Sequence, residues 1–162
     1  MKEGITFALT LLAAIGSGLM GGVFFAFSGF VMKALARLTP AQGVAAMQSI
    51  NVVAVTPPLM ITLFGAALAS GAVGISSLLA REEPGASWRI AGSLLYLLGT
   101  VGVTMACNVP RNNALAAVDP ESVAAVSRWA EYLPSWTAWN RVRTTAAIAA
   151  AVAFTVALTV KR

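Results

Sequence analysis

The chain has 162 residues, 58% of them hydrophobic and 10% charged, with a mean hydropathy of +0.80 and a formal net charge of +5. Soluble globular domains are usually about 25% charged, so this composition excludes an ordinary soluble enzyme and a disordered tail and leaves an integral membrane protein of one small domain. The positive excess is modest and broken up by apolar blocks, which argues against a nucleic-acid partner.

The expected fold is all-α: a four-helix transmembrane bundle with two short interfacial helices on one membrane side. A helix crosses a bilayer with about 20 mostly apolar residues, which predicts spans at 4–32, 52–80, 88–108 and 136–160. The first run is longer than the apolar region of a signal peptide. It holds Gly18 and Gly22 as a GxxxG pair, and Ser17, Gly21, Phe24 and Ser28 fall on one helical stripe. Small residues let membrane helices approach closely. The main reading is contact inside the bundle; a homo-oligomer through this Gly-rich span is the minority reading. Next, Thr39-Pro40-Ala41-Gln42 reads as a capping box with Pro at the first helical position. It predicts an interfacial helix over 40–51, with Gln48 solvated and Asn51 near the site. Span two ends at the charged turn Arg81-Glu82-Glu83-Pro84-Gly85, and Trp88 with Arg89 reads as an interfacial anchor. Span three finishes Cys107-Asn108-Val109-Pro110-Arg111-Asn112-Asn113. Asp119-Pro120-Glu121 then predicts a second interfacial helix over 120–133, stopped by Pro134. Both interfacial helices follow odd-numbered spans and so share one side, opposite both termini. Five Lys and Arg lie on the terminal side and six on the other. Setting aside Arg111, Arg141 and Arg143 as site or interface residues leaves five against three, which favours cytoplasmic termini and a cell-membrane location.

The chain has no His and a single Cys107, and its six carboxylates all lie outside the apolar runs. These counts remove His-held haem, the two-His facial triad, a di-iron carboxylate bundle and any CxxC pair. No metal and no cofactor is expected, and Cys107 reads as a small core residue.

Polar residues at membrane depth are costly unless they face a protein interior, and here they gather at one end. Asn108 and Asn112 share a face if the helix continues through Pro110. In span four Trp136, Trp139, Asn140 and Arg143 fall at i, i+3, i+4 and i+7. Arg141 is about 200° from Arg143 on a helical wheel, so Arg143 is assigned to the interior and Arg141 to the lipid headgroups. The site predicted from these patterns has Arg143, Asn140, Asn108 and Asn112 as its polar centre. Trp136, Trp139, Trp129, Phe24 and Asn51 line it for a lipophilic small molecule.

Three segments, Gly18 to Ser28, Asn108 to Leu115 and Trp136 to Thr144, resemble the anthrone oxygenase-like membrane family over nearly the whole chain. The resemblance implies four spans and a cofactor-independent oxidation of an anthrone to an anthraquinone by molecular oxygen. Members often carry His where this chain has Arg141, and an apolar residue where it has Arg111. For such chemistry Arg143 would stabilise an enolate oxygen, the asparagines would orient the carbonyl or peroxide, and the tryptophans would form a flat slot. Glu131, Tyr132 and a solvent base are the three options for the proton acceptor. The alternative is a non-catalytic membrane module that binds a lipid or quinone, or an accessory subunit. A small transporter ranks third, because no intramembrane carboxylate is available to couple it to protons.

Overall fold

The protein is described by a computed structural model covering residues 2–160. It is all-helical, with no strand among the described residues. Four helices are long and apolar enough to cross a membrane: α1 (Glu3–Leu35), α3 (Pro57–Leu79), α4 (Ala86–Ala116) and α5 (Ala124–Thr159). One further helix, α2 (Pro40–Val53), joins the first two. Each membrane helix packs on its neighbours in sequence, and α5 closes the ring by packing along α1.

Small residues set these contacts. A Cβ at Gly16 would lie 2.6 Å from Ala66 Cβ on α3, and one at Gly21 would lie 2.9 Å from Ile148 Cγ1 on α5. Gly92 and Gly99 of α4 meet Phe154 and Ala146 of α5 in the same way. Gly22 has open space where its side chain would be. The glycines that bring α1 against its neighbours are therefore Gly16 and Gly21, rather than the Gly18 and Gly22 pair.

The connections depart from expectation in four places. The capping box forms as predicted: Gln42 N donates to Thr39 Oγ1 at 3.4 Å, and Thr39 N to Gln42 Oε1 at 3.3 Å. The helix it starts runs to Val53, so span two begins at Pro57 and not at 52. Gln48 is not solvated. Its Nε2 donates to Leu115 O at 2.9 Å and Val118 O at 2.8 Å, tying α2 to the turn that follows α4, where Val118 N also donates to Leu115 O at 3.1 Å.

The second interfacial helix does not exist as a separate element. Asp119 makes a local turn, accepting from Glu121 N at 3.0 Å, and the helix begins at Ala124. It then runs unbroken through Pro134 to Thr159. Proline removes one backbone donor, but membrane helices absorb that loss when neighbouring groups satisfy the carbonyls. The carbonyl left without a donor is that of Ala130, and in the next register Ser135 Oγ donates to Glu131 O at 2.8 Å. Trp129, Tyr132 and Trp136 also stack along one face across the proline, with centroids 5.7 and 6.2 Å apart. Arg89 is likewise no snorkelling anchor. It is buried, donates to Ser77 Oγ at 2.7 Å and to Pro84 O at 3.2 Å, and pairs with Glu83 at 3.2 Å. It clamps α3 to α4 at the turn end, while Trp88 stays 45% exposed.

Helix α4 carries two π-helical stretches, Leu95–Gly102 and Thr104–Asn108. Along these stretches its buried polar residues Tyr96, Thr100, Thr104 and Asn108 recur every four positions. In a regular α-helix each such step drifts about 40° around the axis. A wider turn of i→i+5 bonds offsets that drift, so the whole file stays on the inward face. Spans α3 and α4 are tight at the turn end, where Ser93 Oγ donates to Ser70 O at 2.7 Å. They separate toward the other end, and the polar site lies in the space that opens.

Candidate functional site

A chamber of about 220 Å³ occupies that space. Its walls come from all five helices: Met20, Phe24 and Phe27 of α1, Met47 and Asn51 of α2, Leu63 and Phe64 of α3, Thr104, Met105 and Asn112 of α4, and Trp136 and Arg143 of α5. Most of the lining is apolar, and no carboxylate belongs to it. The chamber opens on the flank between α3 and α4, where Phe64 and Met105 are about half exposed (48% and 56%).

Arg143 is the centre. Only 7% of it is exposed, and it forms no ion pair among the described residues. Four contacts hold it. Its Nε donates to Asn140 Oδ1 at 2.9 Å and its Nη1 to Thr104 Oγ1 at 3.2 Å. Its guanidinium carbon lies 3.9 Å from the Phe24 ring centroid and 5.2 Å from that of Trp136. Aromatic faces attract cations, more so where water is excluded. This grip fixes the plane of the guanidinium and leaves Nη2 with no protein partner among the described residues.

The four asparagines divide by role. Asn140 is fully buried; its Oδ1 accepts from Arg143, and its Nδ2 donates to Phe24 O at 2.7 Å and Ser28 Oγ at 2.5 Å. Every bond it can direct inward goes to protein, so it positions Arg143 and offers nothing to a ligand. Asn108 is also structural. Its Nδ2 donates to Trp136 O at 3.3 Å, and it is absent from the chamber wall, although its Oδ1 has no partner. Asn112 differs. Its Oδ1 accepts from Trp136 Nε1 at 2.7 Å and from the Tyr132 hydroxyl at 2.9 Å. Both partners are donors, so they fix the orientation of the amide and leave its Nδ2 as a donor on the chamber wall. Asn51 lines the chamber from α2 beside the Tyr132 hydroxyl, and its buried Nδ2 has no hydrogen-bond partner.

The aromatic residues divide as well. Trp136 is buried and tilted against Phe27, with centroids 5.8 Å apart, and it forms a chamber wall. Trp139, expected to share that wall, is 38% exposed on the outer surface beneath Arg111, whose guanidinium carbon is 5.9 Å from its ring. Trp129 is buried, but its work is packing: a Cβ at Gly43 of α2 would lie 2.6 Å from its ring. Of the two side chains considered as bases, Glu131 is exposed and pairs with Arg128 at 3.5 Å. Tyr132 already donates its proton to Asn112. Arg143 and Arg141 fall on opposite sides of α5, buried and exposed respectively. Sequence reasoning missed Thr104, whose signal is its place four residues before Asn108. It also missed the gathering of Met20, Met47, Met60 and Met105, four of the six methionines in the chain, for which the sequence carries no sign.

The arrangement sets hydrogen-bond donors inside a largely apolar space. Arg143 Nη2 and Asn112 Nδ2 are donors without hydrogen-bond partners among the described residues, aromatic rings bound the space, and flexible thioethers complete it. Comparison with curated proteins and with solved structures returns no match. The model of the anthrone oxygenase family matches residues 49–153, a stretch that includes Asn51, Thr104, Asn112, Trp136, Asn140 and Arg143. With four membrane-length helices and a match over more than half its length, the chain belongs to the anthrone oxygenase family.

Proposed function

We propose that this protein is a cofactor-independent membrane oxygenase that binds a lipophilic anthrone- or phenol-type molecule as its anion and oxidises it with molecular oxygen. The observation that carries this reading is Arg143: a buried cation with no counter-charge, held flat inside an apolar chamber. Burying an unpaired charge is expensive, and an anionic ligand relieves that cost.

The chemistry needs little more than this. An anthrone loses a ring-methylene proton to give an electron-rich enolate. The enolate transfers one electron to oxygen, and the resulting radical recombines with superoxide as a carbon-bound peroxide anion. After protonation the peroxide expels water as the remaining hydrogen leaves that carbon, which becomes a carbonyl. Overall one CH₂ and one O₂ give one C=O and one H₂O. Arg143 Nη2 and Asn112 Nδ2 bind the enolate oxygen and favour its formation, because a nearby cation lowers the pKa of the group it faces. The chamber wall offers no carboxylate or imidazole, so the proton leaves to solvent at the membrane surface and the anion is the species bound. The volume, about 220 Å³, is below the roughly 300–1,000 Å³ typical of small-molecule sites. It suits a compact planar ring system, with the methionines yielding to a larger one.

Oxygen uptake by the purified protein with an anthrone, measured against the spontaneous rate, tests the reading. The expected result is acceleration that Arg143→Gln abolishes. The lack of a proton acceptor also favours a second reading, a non-catalytic binder of a lipophilic anion. Saturable binding of the anion that Arg143→Gln weakens, with oxygen uptake at the spontaneous rate, would replace the first reading with the second.

A further inference from the structure

Behind Asn140, on the outer side of the bundle, a groove of about 400 Å³ runs between the end of α1 and the proline-containing stretch of α5. Its floor is apolar, with Met32 and Leu133, and its rim carries Lys33 from α1 and Arg141 from α5. Neither cation has a hydrogen bond, ion pair or ring contact among the described residues. That separates them from their counterparts. Arg81, Arg89 and Arg111 donate to backbone carbonyls, Arg128 pairs with Glu131, and Arg143 is held in the chamber. Arg37 is the remaining described cation without a partner, and it lies outside the groove.

Two hydroxyls face the same groove. Ser28 Oγ accepts from Asn140 Nδ2 at 2.5 Å, so its own proton is free to be donated outward. Thr137 Oγ1 has no partner among the described residues. The groove therefore presents two positive charges and two hydroxyl donors, with no carboxylate, at the membrane end of an apolar channel. We propose that it is a binding site for an anionic phospholipid, with the headgroup phosphate between Lys33 and Arg141 and an acyl chain along Met32 and Leu133. Arg grips phosphate oxygens in a fork, and Lys supplies a point charge. A polar cluster above an apolar floor matches a lipid better than it matches a free ion. The two cations come from helices more than 100 residues apart in sequence, so the site exists only in the folded bundle. This inference does not depend on the oxygenase reading.

The test is lipid binding to the full-length protein in detergent, followed by native mass spectrometry. Probes are phosphatidylglycerol, phosphatidylcholine and inorganic phosphate. The expected result is one phosphatidylglycerol held at least tenfold more tightly than phosphatidylcholine. The double variant Lys33→Ala, Arg141→Ala should lose that preference, and Arg37→Ala should keep it. All three side chains are exposed, so unchanged melting of the variants serves as the folding control. Equal retention of the two lipids would overturn the proposal, as would indifference to the double substitution. Full displacement of the lipid by millimolar inorganic phosphate would overturn the lipid assignment and leave a simple anion site.

Discussion

Asn140 and Asn112 have the same side chain, and their surroundings give them different work. Asn140 turns its oxygen to Arg143 Nε, so a carboxylate there would sit within bonding distance of the guanidinium. Asn140→Asp should therefore neutralise the site from within: the protein folds, and affinity for an aromatic anion falls by about 10- to 100-fold, as expected when a hydrogen bond to a charged group loses its value. Isothermal titration with a phenolate ligand measures it. Arg143→Lys keeps the charge but loses the plane, the Phe24 contact and the bond to Thr104. It should retain part of the binding and lose most of the turnover, whereas Arg141→Ala should leave both nearly unchanged. The stripe in span four was legible because burial follows helical phase: Trp136, Asn140 and Arg143 fall within about 60° of one another on the wheel. Trp139 was misplaced because it lies about 40° outside that arc, on the Arg143 side, where its ring turns outward to Arg111. Which amide faces a ligand was not legible at all, since that depends on donors from elsewhere in the chain.

Helices, turns and caps were readable where the signal is local. The four apolar runs and the Thr39 capping box follow from composition and spacing over a few residues. The fate of Pro134 did not, because a proline stops a helix only when nothing nearby satisfies the exposed carbonyls and packing does not hold the axis. Here the Trp129, Tyr132 and Trp136 stack holds the axis, and Ser135 bonds the neighbouring Glu131 carbonyl. The π-helical turns of α4 were also invisible, although their trace, polar residues at 96, 100, 104 and 108, is plain once the turns are known. Helix packing gives a direct check on the glycines. Gly21→Leu drives a side chain into Ile148 and should destabilise the bundle by about 1–3 kcal/mol, the usual penalty of overpacking. Gly22→Leu enters open space and should leave the thermal midpoint in detergent almost unchanged. Equal losses from the two would show that the wrong face of α1 has been taken as the packing face.

Over the molecule as a whole, the chamber is a product of convergence: five helices contribute to a volume that no segment encloses alone. That is why the sequence supported a polar end to the bundle but neither the methionines nor the opening between α3 and α4. The lack of a carboxylate or imidazole on its wall has a consequence for pH. The rate should rise with pH as the compound ionises before it binds and then level off. The midpoint should move in step with the acidity of the compound when phenols of different pKa are compared at constant protein. A midpoint that stays fixed across phenols would instead reveal an ionising side chain at the centre of the reaction. The pairing of α3 with α4 has a mechanical consequence. Two rods pinned together by the Arg89 clamp at one end and splayed at the other respond to sideways pressure from the surrounding lipid. Stiff, saturated vesicles should squeeze the gap and slow ligand uptake while equilibrium affinity holds, so the fluidity of the host bilayer would set how fast the protein fills.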